Sequence, residues 1–174
     1  MTRVWVGAGS NVRPVAHLTL AVEALGARYG RLDLSAVYRN PPVGFAGDDF
    51  LNMVVGFATE VSLGEVAACL AEIHARVGRV AGDQKFGPRK LDLDLVLFGE
   101  LVDPLRRIPR PDVLRYGFVL GPLAALAPDL RHPVTGVTMA AAWRAYTGPR
   151  QLRNLGPLAG LTGMEVTGPT AGGQ

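Results

Sequence analysis

The chain has 174 residues, 48% hydrophobic and 19% charged, a balance that fits one globular domain and excludes a disordered chain. Its 18 basic against 15 acidic residues give a net charge of +3, but every basic residue except Lys85 and Lys90 is arginine; with Ala and Gly also abundant, the skew is one of codon composition, and the local thickening of bases around 76–90 and 106–115 suits a small anionic ligand better than nucleic acid. The lone cysteine, Cys69, excludes a disulfide framework and a Cys-based zinc site, and the short apolar runs and the non-secretory residues 1–4 point to a cytoplasmic protein off the membrane.

Residues 3–8 alternate apolar and polar as a strand and reach a turn at Gly9-Ser10-Asn11. Pro14 then opens a helix with Val15, Leu18, Val22 and Leu25 at helical spacing, left through Gly26 and Gly30. Residues 32–39 read as a second strand stopped by Asn40-Pro41-Pro42, 43–49 as a loop and 51–59 as a third strand. Ser62 and Glu65 form a capping box for a helix whose Val66, Cys69, Leu70, Ile73 and Val77 share a face, with Gly78 at its end. A polar loop at 81–88 precedes a fourth strand at 91–98. The order β-α-β-β-α-β predicts an α+β fold of ferredoxin-like type, an antiparallel sheet with helices packed on it. A short helix near 119–126, a hairpin around 132–137 and a helix at 139–146 follow. The expected organisation is one domain over 1–150 and a flexible Gly/Pro-rich tail over 151–174.

The sharpest chemical signal is Gly87-Pro88-Arg89-Lys90-Leu91-Asp92-Leu93-Asp94-Leu95. On a strand Asp92 and Asp94 share one face, roughly 6–7 Å apart, while the leucines take the other. Paired carboxylates with Arg79, Lys85 and Arg89 upstream suit a hard cation shared with a polyphosphate. No G-x-x-x-x-G-K-[ST] is present, which excludes a P-loop enzyme, and Gly7-Ala8-Gly9 reads as a structural turn. A second constellation runs from Tyr38-Arg39-Asn40-Pro41-Pro42-Val43-Gly44 to Asp49-Phe50-Leu51-Asn52. Asn52 both donates and accepts, as an amide-type heterocycle requires, and Phe50 and Phe118 are placed to sandwich a flat ring. An RNA-recognition domain shares the element order, but it needs stacking aromatics where the fourth strand here carries Asp92 and Asp94.

These segments, with Val6-Gly7-Ala8-Gly9-Ser10-Asn11 and Phe118-Val119-Leu120-Gly121-Pro122-Leu123, resemble in order and content the hydroxymethyl-dihydropterin pyrophosphokinase family over about residues 3–135. The resemblance implies an ATP- and Mg²⁺-dependent diphosphotransferase of folate biosynthesis. It would move pyrophosphate from ATP to the hydroxymethyl group of 6-hydroxymethyl-7,8-dihydropterin and release AMP. Asp92 and Asp94 would hold two Mg²⁺ ions, and Arg89, Asp92 and Asp94 would be the catalytic set. Arg79, Lys85, Phe86, Arg89, Leu95, Arg110, Pro111 and Arg115 would bind ATP. Asn40, Pro41, Val43, Phe50, Asn52, Asp92 and Phe118 would hold the pterin, and the 81–88 loop would be a lid. The expected partners are these small molecules alone, with no nucleic acid or membrane, in a monomer or weak homodimer. The chain departs from the family pattern at Ala71 and His74, where Gln and Glu are usual, at Ala81 and Tyr116, where Arg is usual, and at Arg110, where His is usual. Those departures keep an alternative open, a catalytically weak or inactive relative that binds pterin or nucleotide.

Overall fold

The first strand sets the two faces of the molecule. In the computed structural model, which describes residues 1–78 and 91–163, β1 (Thr2–Ser10) turns Val4, Val6 and Ala8 into one core and Trp5 into another. It pairs antiparallel with β4 (Phe50–Thr59) on one side and β5 (Asp92–Phe98) on the other. Beyond β4 come β3 (Tyr38–Asn40) and β6 (Arg153–Asn154), giving the order β5-β1-β4-β3-β6, while β2 (Asp33–Leu34) also pairs with β4. The first four strands of that order are the ferredoxin-like arrangement expected.

Two details differ from the sequence expectation. The strand expected over 32–39 is split into β2 and β3, because Ser35 uses its side chain as a second strand partner. Its N–H reaches Val54 O at 3.0 Å while its hydroxyl accepts the Val54 N–H at 2.9 Å, which bends the chain away from the ladder. Gly7-Ala8-Gly9 form no turn; β1 runs on to Ser10 and the reversal comes after it.

Helix α1 (Pro14–Tyr29) starts on Pro14, where a missing N–H costs nothing, and buries Leu18, Ala21 and Leu25. Gly26 lies within it, and Gly30, at φ 76°, ends it. Helix α2 (Leu63–Arg76) opens on the full capping box: Ser62 Oγ accepts the Glu65 N–H at 3.3 Å and the Glu65 carboxylate accepts the Ser62 N–H at 2.9 Å. Those bonds to Ser62 favour the ionised carboxylate and hold its pKa below the ordinary glutamate value. α2 packs on β5, where Val66, Leu70 and Ile73 share a core with Leu91 and Leu93, while α1 covers β4; Cys69 is half-buried at the margin.

The opposite face is covered too. α3 (Asp112–Arg115), α4 (Gly117–Leu126) and α5 (Met139–Ala145) pack there, and Leu120, Leu123 and Met139 meet Trp5, Val54 and Leu97. An RNA-recognition domain would leave that face open for bases. Leu97 reaches this second core because β5 carries one extra residue opposite the Trp5/Val6 step, so its side-chain alternation shifts after Leu95. Among the described residues no helix is long and apolar enough to cross a membrane.

The reversal expected around 132–137 is closed by the His132 N–H to Val137 O bond at 2.9 Å. His132 Nδ1 accepts from the Val134 and Thr135 N–H groups, each at 3.3 Å, and burial pushes its pKa below the ordinary histidine value. A depressed histidine pKa contributes stability that is complete above about pH 6.5, the unfolded value, and is lost as pH falls toward the folded one. Thermal denaturation across pH 5–7 is expected to show part of the acid-side loss of melting temperature disappear in His132→Asn.

Residues 151–163, expected as part of a flexible tail, return to the fold, with Leu158 and Leu161 buried. Arg153 and Asn154 pair with Arg39 and Tyr38, and the 3-10 helix Leu158–Leu161 buries Leu158 and Leu161 beneath α1. Residues 164–174 lie outside the described residues.

Candidate active site

Three neighbouring strands place the site. Asn52 on β4 is registered with Gly9 on β1, and Gly9 with Asp92 on β5; in the next row on the same face Val54, Gly7 and Asp94 are aligned. The two glycines leave the middle strand bare, so a trough runs between Asn52 and Asp92. Two strand spacings put the Asn52 and Asp92 backbones about 10 Å apart, and the Asn52 amide reaches over Gly9 into that gap. A Cβ on Gly9 would collide with Asn52 Oδ1, whereas one on Gly7 would meet only Val96 Cγ2 at 3.6 Å. Glycine at position 9 is therefore what lets the Asn52 amide lie across β1.

The trough is the floor of a cavity of ≈ 420 Å³. At one end Asn52 Nδ2 donates to Asn40 Oδ1 at 2.6 Å, and Asn40 Nδ2 donates to the Pro41 carbonyl at 3.1 Å; both asparagines are buried. The loop after β3 is tied at its base, where Arg39 Nε meets Asp49 Oδ2 at 2.8 Å and Asn11 Nδ2 donates to Asp48 O at 3.2 Å. Phe45 packs edge-on to Phe50, centroids 6.1 Å apart, and Tyr116 stacks on Phe118 at 5.1 Å, so the walls of the cavity are aromatic.

The other end is charged. Arg110 Nη2 lies 3.2 Å from Asp94 Oδ1, and Arg110 Nε donates to Asp112 Oδ2 at 2.8 Å. Burial opposes the charge on Arg110, but Asp94, Asp112 and Asp92 outweigh it and hold the pKa above the ordinary arginine value. Asp92 and Asp94 are hard oxygen donors, and no group of three His, Cys, Asp or Glu able to hold a metal exists among the described residues. A pair of carboxylates with the remaining positions left to water and phosphate oxygens is the donor set that Mg²⁺ takes and a closed zinc or calcium cage is not. The residues fit Mg²⁺.

Of the residues singled out from sequence, Asn40, Val43, Phe50, Asn52, Asp92, Asp94, Arg110 and Phe118 converge on this cavity. Pro41, Pro111 and Arg115 are exposed outside it, and Leu95 is half-buried against the helix-side core. Arg79, Lys85, Phe86 and Arg89, the 81–88 lid and Ala81 lie outside the described residues. Arg107, Asp112 and Phe45 line the cavity without having been anticipated. Arg107 had a local signal only in the thickened run of bases, and the backbone there, at φ 55°, has none in sequence. His74 does not line the cavity; its Nε2 accepts the Leu93 N–H at 2.8 Å and so grips the strand that carries both carboxylates.

The pattern of the 7,8-dihydro-6-hydroxymethylpterin-pyrophosphokinase (HPPK) family matches residues 5–128, a span that contains the trough, both asparagines and both carboxylates. The chain belongs to the HPPK family. Relatives named 2-amino-4-hydroxy-6-hydroxymethyldihydropteridine pyrophosphokinase agree. The Methylorubrum extorquens protein is 40% identical over 137 residues, covering 75% of this chain and 85% of the relative. The Pseudomonas aeruginosa protein is 40% identical over 138 residues, covering 75% and 84%. A crystal structure of Plasmodium falciparum HPPK-DHPS superimposes with a TM-score of 0.64 over 84% of this chain at 13% identity. The chain spans 44% of that longer protein, and the likeness establishes the shared fold. As an HPPK the chain is a diphosphotransferase that uses ATP as co-substrate and moves pyrophosphate onto a hydroxymethyl pterin in folate biosynthesis. None of these matches favours the alternative of a non-catalytic binding relative.

Proposed function

We propose that the two ends of the trough divide the substrates. The pterin ring lies at the Asn40–Asn52 end between Phe50 and Phe118, and the triphosphate lies over Asp92 and Asp94. The observation that carries this reading is the row Asn52–Gly9–Asp92, which sets a donor–acceptor amide and a carboxylate one small-ring length apart on a bare strand. The Asn52 amide supplies both hydrogen-bond polarities to the ring edge. Asp92, nearer the ring than Asp94, faces the hydroxymethyl group, while Arg110 and Arg107 stand beside the phosphates.

Two Mg²⁺ ions held by Asp92 and Asp94 would supply charge neutralisation for the transferring group. The protein's own contribution is alignment of the hydroxyl with the phosphorus and exclusion of water, with no covalent intermediate. Arg79, Lys85, Phe86 and Arg89 are assigned to the nucleotide side through the resemblance alone, and Pro41, Leu95, Pro111 and Arg115 keep supporting places at its margins. We also assign the protein to the cytoplasm, by the resemblance, and as a monomer or weak homodimer, the latter supported by a sheet whose two faces are covered within one chain.

The deciding experiment is AMP release from ATP and Mg²⁺ with and without 6-hydroxymethyl-7,8-dihydropterin. AMP formed in step with pyrophosphorylated pterin is expected. Pterin binding seen by calorimetry without AMP would overturn the assignment of the Asp92–Asp94 end.

A further inference from the structure

The segment from Tyr146 to Leu161 lies beyond the span that matches the family, and it touches both walls of the pterin end. Toward α4 the Tyr146 hydroxyl accepts the Gly117 N–H at 2.9 Å and donates to Arg115 O at 3.1 Å, so it holds the backbone on either side of Tyr116, which lines the cavity with Phe118. Pro149 O and the Leu152 side chain sit so close to Gly117 and Gly121 that a Cβ at either glycine would collide with them. Arg150 fastens the turn by lying over the Trp143 ring, 4.4 Å from its centroid, and donating to the Trp143 and Tyr146 carbonyls.

A few residues on, the same segment becomes β6. Leu155 N–H donates to Val37 O at 2.9 Å, Val37 N–H donates to Gly156 O at 2.8 Å, and Arg153 and Asn154 pair with Arg39 and Tyr38. Asn40, the next residue of β3, is the one that holds Asn52. Leu158 and Leu161 then anchor the end in the core. One covalent stretch is thus bonded to the helix carrying Phe118 and to the strand carrying Asn40. Leu152 packs against Gly121 of α4, and Leu155 packs against the first core.

From this juxtaposition we infer that residues 146–161 form a strap that sets the separation of Phe118 from Asn40 and Asn52, and so acts as a positioning element for the pterin. The inference rests on the reading that those residues hold the pterin. Its consequence is graded: the strap is bonded to neither Asp92 nor Asp94 and meets the nucleotide margin only at the Arg115 backbone carbonyl, so loosening it acts on the pterin end far more than on the phosphate end. A generic stabilising role would lower melting temperature and the active fraction while leaving both substrate affinities alone.

The test uses the full chain with Tyr146→Phe, which removes two hydrogen bonds and keeps the ring, and Leu155→Pro, which removes the donor to Val37. Pterin and ATP affinities are read separately by calorimetry, with KM values from AMP release. Each variant is expected to weaken pterin binding about tenfold, the worth of one or two lost hydrogen bonds, with ATP affinity within about twofold of the parent. Should Leu155→Pro fail to fold, Tyr146→Phe alone decides, since a phenylalanine preserves the packing. Equal loss of both affinities, or unchanged pterin affinity, overturns the strap's role. Asn52→Ala separates the two levels. If it weakens pterin binding while the strap variants do not, the inference fails alone; if it too has no effect, the pterin assignment beneath it fails.

Discussion

Replacing Asp92 with alanine is expected to lower kcat/KM for pterin-dependent AMP formation by on the order of 10³, about 4 kcal/mol of transition-state stabilisation. The size follows from the donor set. The cavity is lined by three carboxylates: Asp112 takes Arg110 Nε at 2.8 Å, while Asp92 and Asp94 share one face of the strand that floors it, Asp94 also reached by Arg110 Nη2 at 3.2 Å. Asp94→Ala is expected to cost a similar factor and to have a second effect. It removes one of the two carboxylates that Arg110 bridges, so the guanidinium is left with Asp112 alone. Asp92→Asn keeps the shape and removes the charge, and it is expected to fall nearly as far, because a neutral amide oxygen is a poor ligand for a hard dication. AMP release measured over a range of Mg²⁺ concentrations checks all three. A loss smaller than about tenfold at saturating Mg²⁺ would remove Asp92 from the catalytic set.

The second large effect is expected at a residue without a side chain. Gly9→Val places branched methyl groups where Asn52 Oδ1 now lies, so the buried amide must leave its seat. Displacing Asn52 breaks its 2.6 Å bond to Asn40 and leaves two buried amides short of a partner, each costing about 1–3 kcal/mol. Pterin affinity is expected to fall by about 10² or more, and ATP affinity far less, because the collision is at the amide end of the trough. Gly9→Ala should lie between, and Gly7→Ala should cost less than either, since its methyl meets only Val96 at ordinary contact distance. Calorimetry with pterin, alongside circular dichroism to confirm folding, measures the ordering.

Much of this architecture was legible because it rests on periodicity. Leu91 and Leu93 against Asp92 and Asp94 is a period of two, and it assigns both carboxylates to one face. Ser62 and Glu65 announced the start of α2 because a cap is a local interaction between near neighbours. What stayed hidden depends on contacts between distant segments. The bulge that swings Leu97 to the other core arises from pairing with Trp5, and no pattern within β5 records it. His74 looked like a residue beside an apolar face; its bond to Leu93 follows from how α2 lies on the edge of the sheet. The place of residues 151–163 is not legible in sequence, because Gly and Pro composition signals turns and two residues added to a sheet edge carry no periodicity at all. Leu158 and Leu161 were the available hint, two leucines at a spacing that a single helical turn buries.

The register of the trough bears on how the enzyme comes into being. Asn52, Gly9 and Asp92 belong to three strands that are adjacent in space and far apart along the chain, with both helices of the first layer between them. Closing such long loops must precede any gain from the pairing, so helix formation in α1 and α2 outruns assembly of the site. During refolding from denaturant, the helical signal should therefore recover before the ability to bind pterin. In that interval β1, which carries Gly7 and Gly9 within it, lacks the strands on either side that hold it extended.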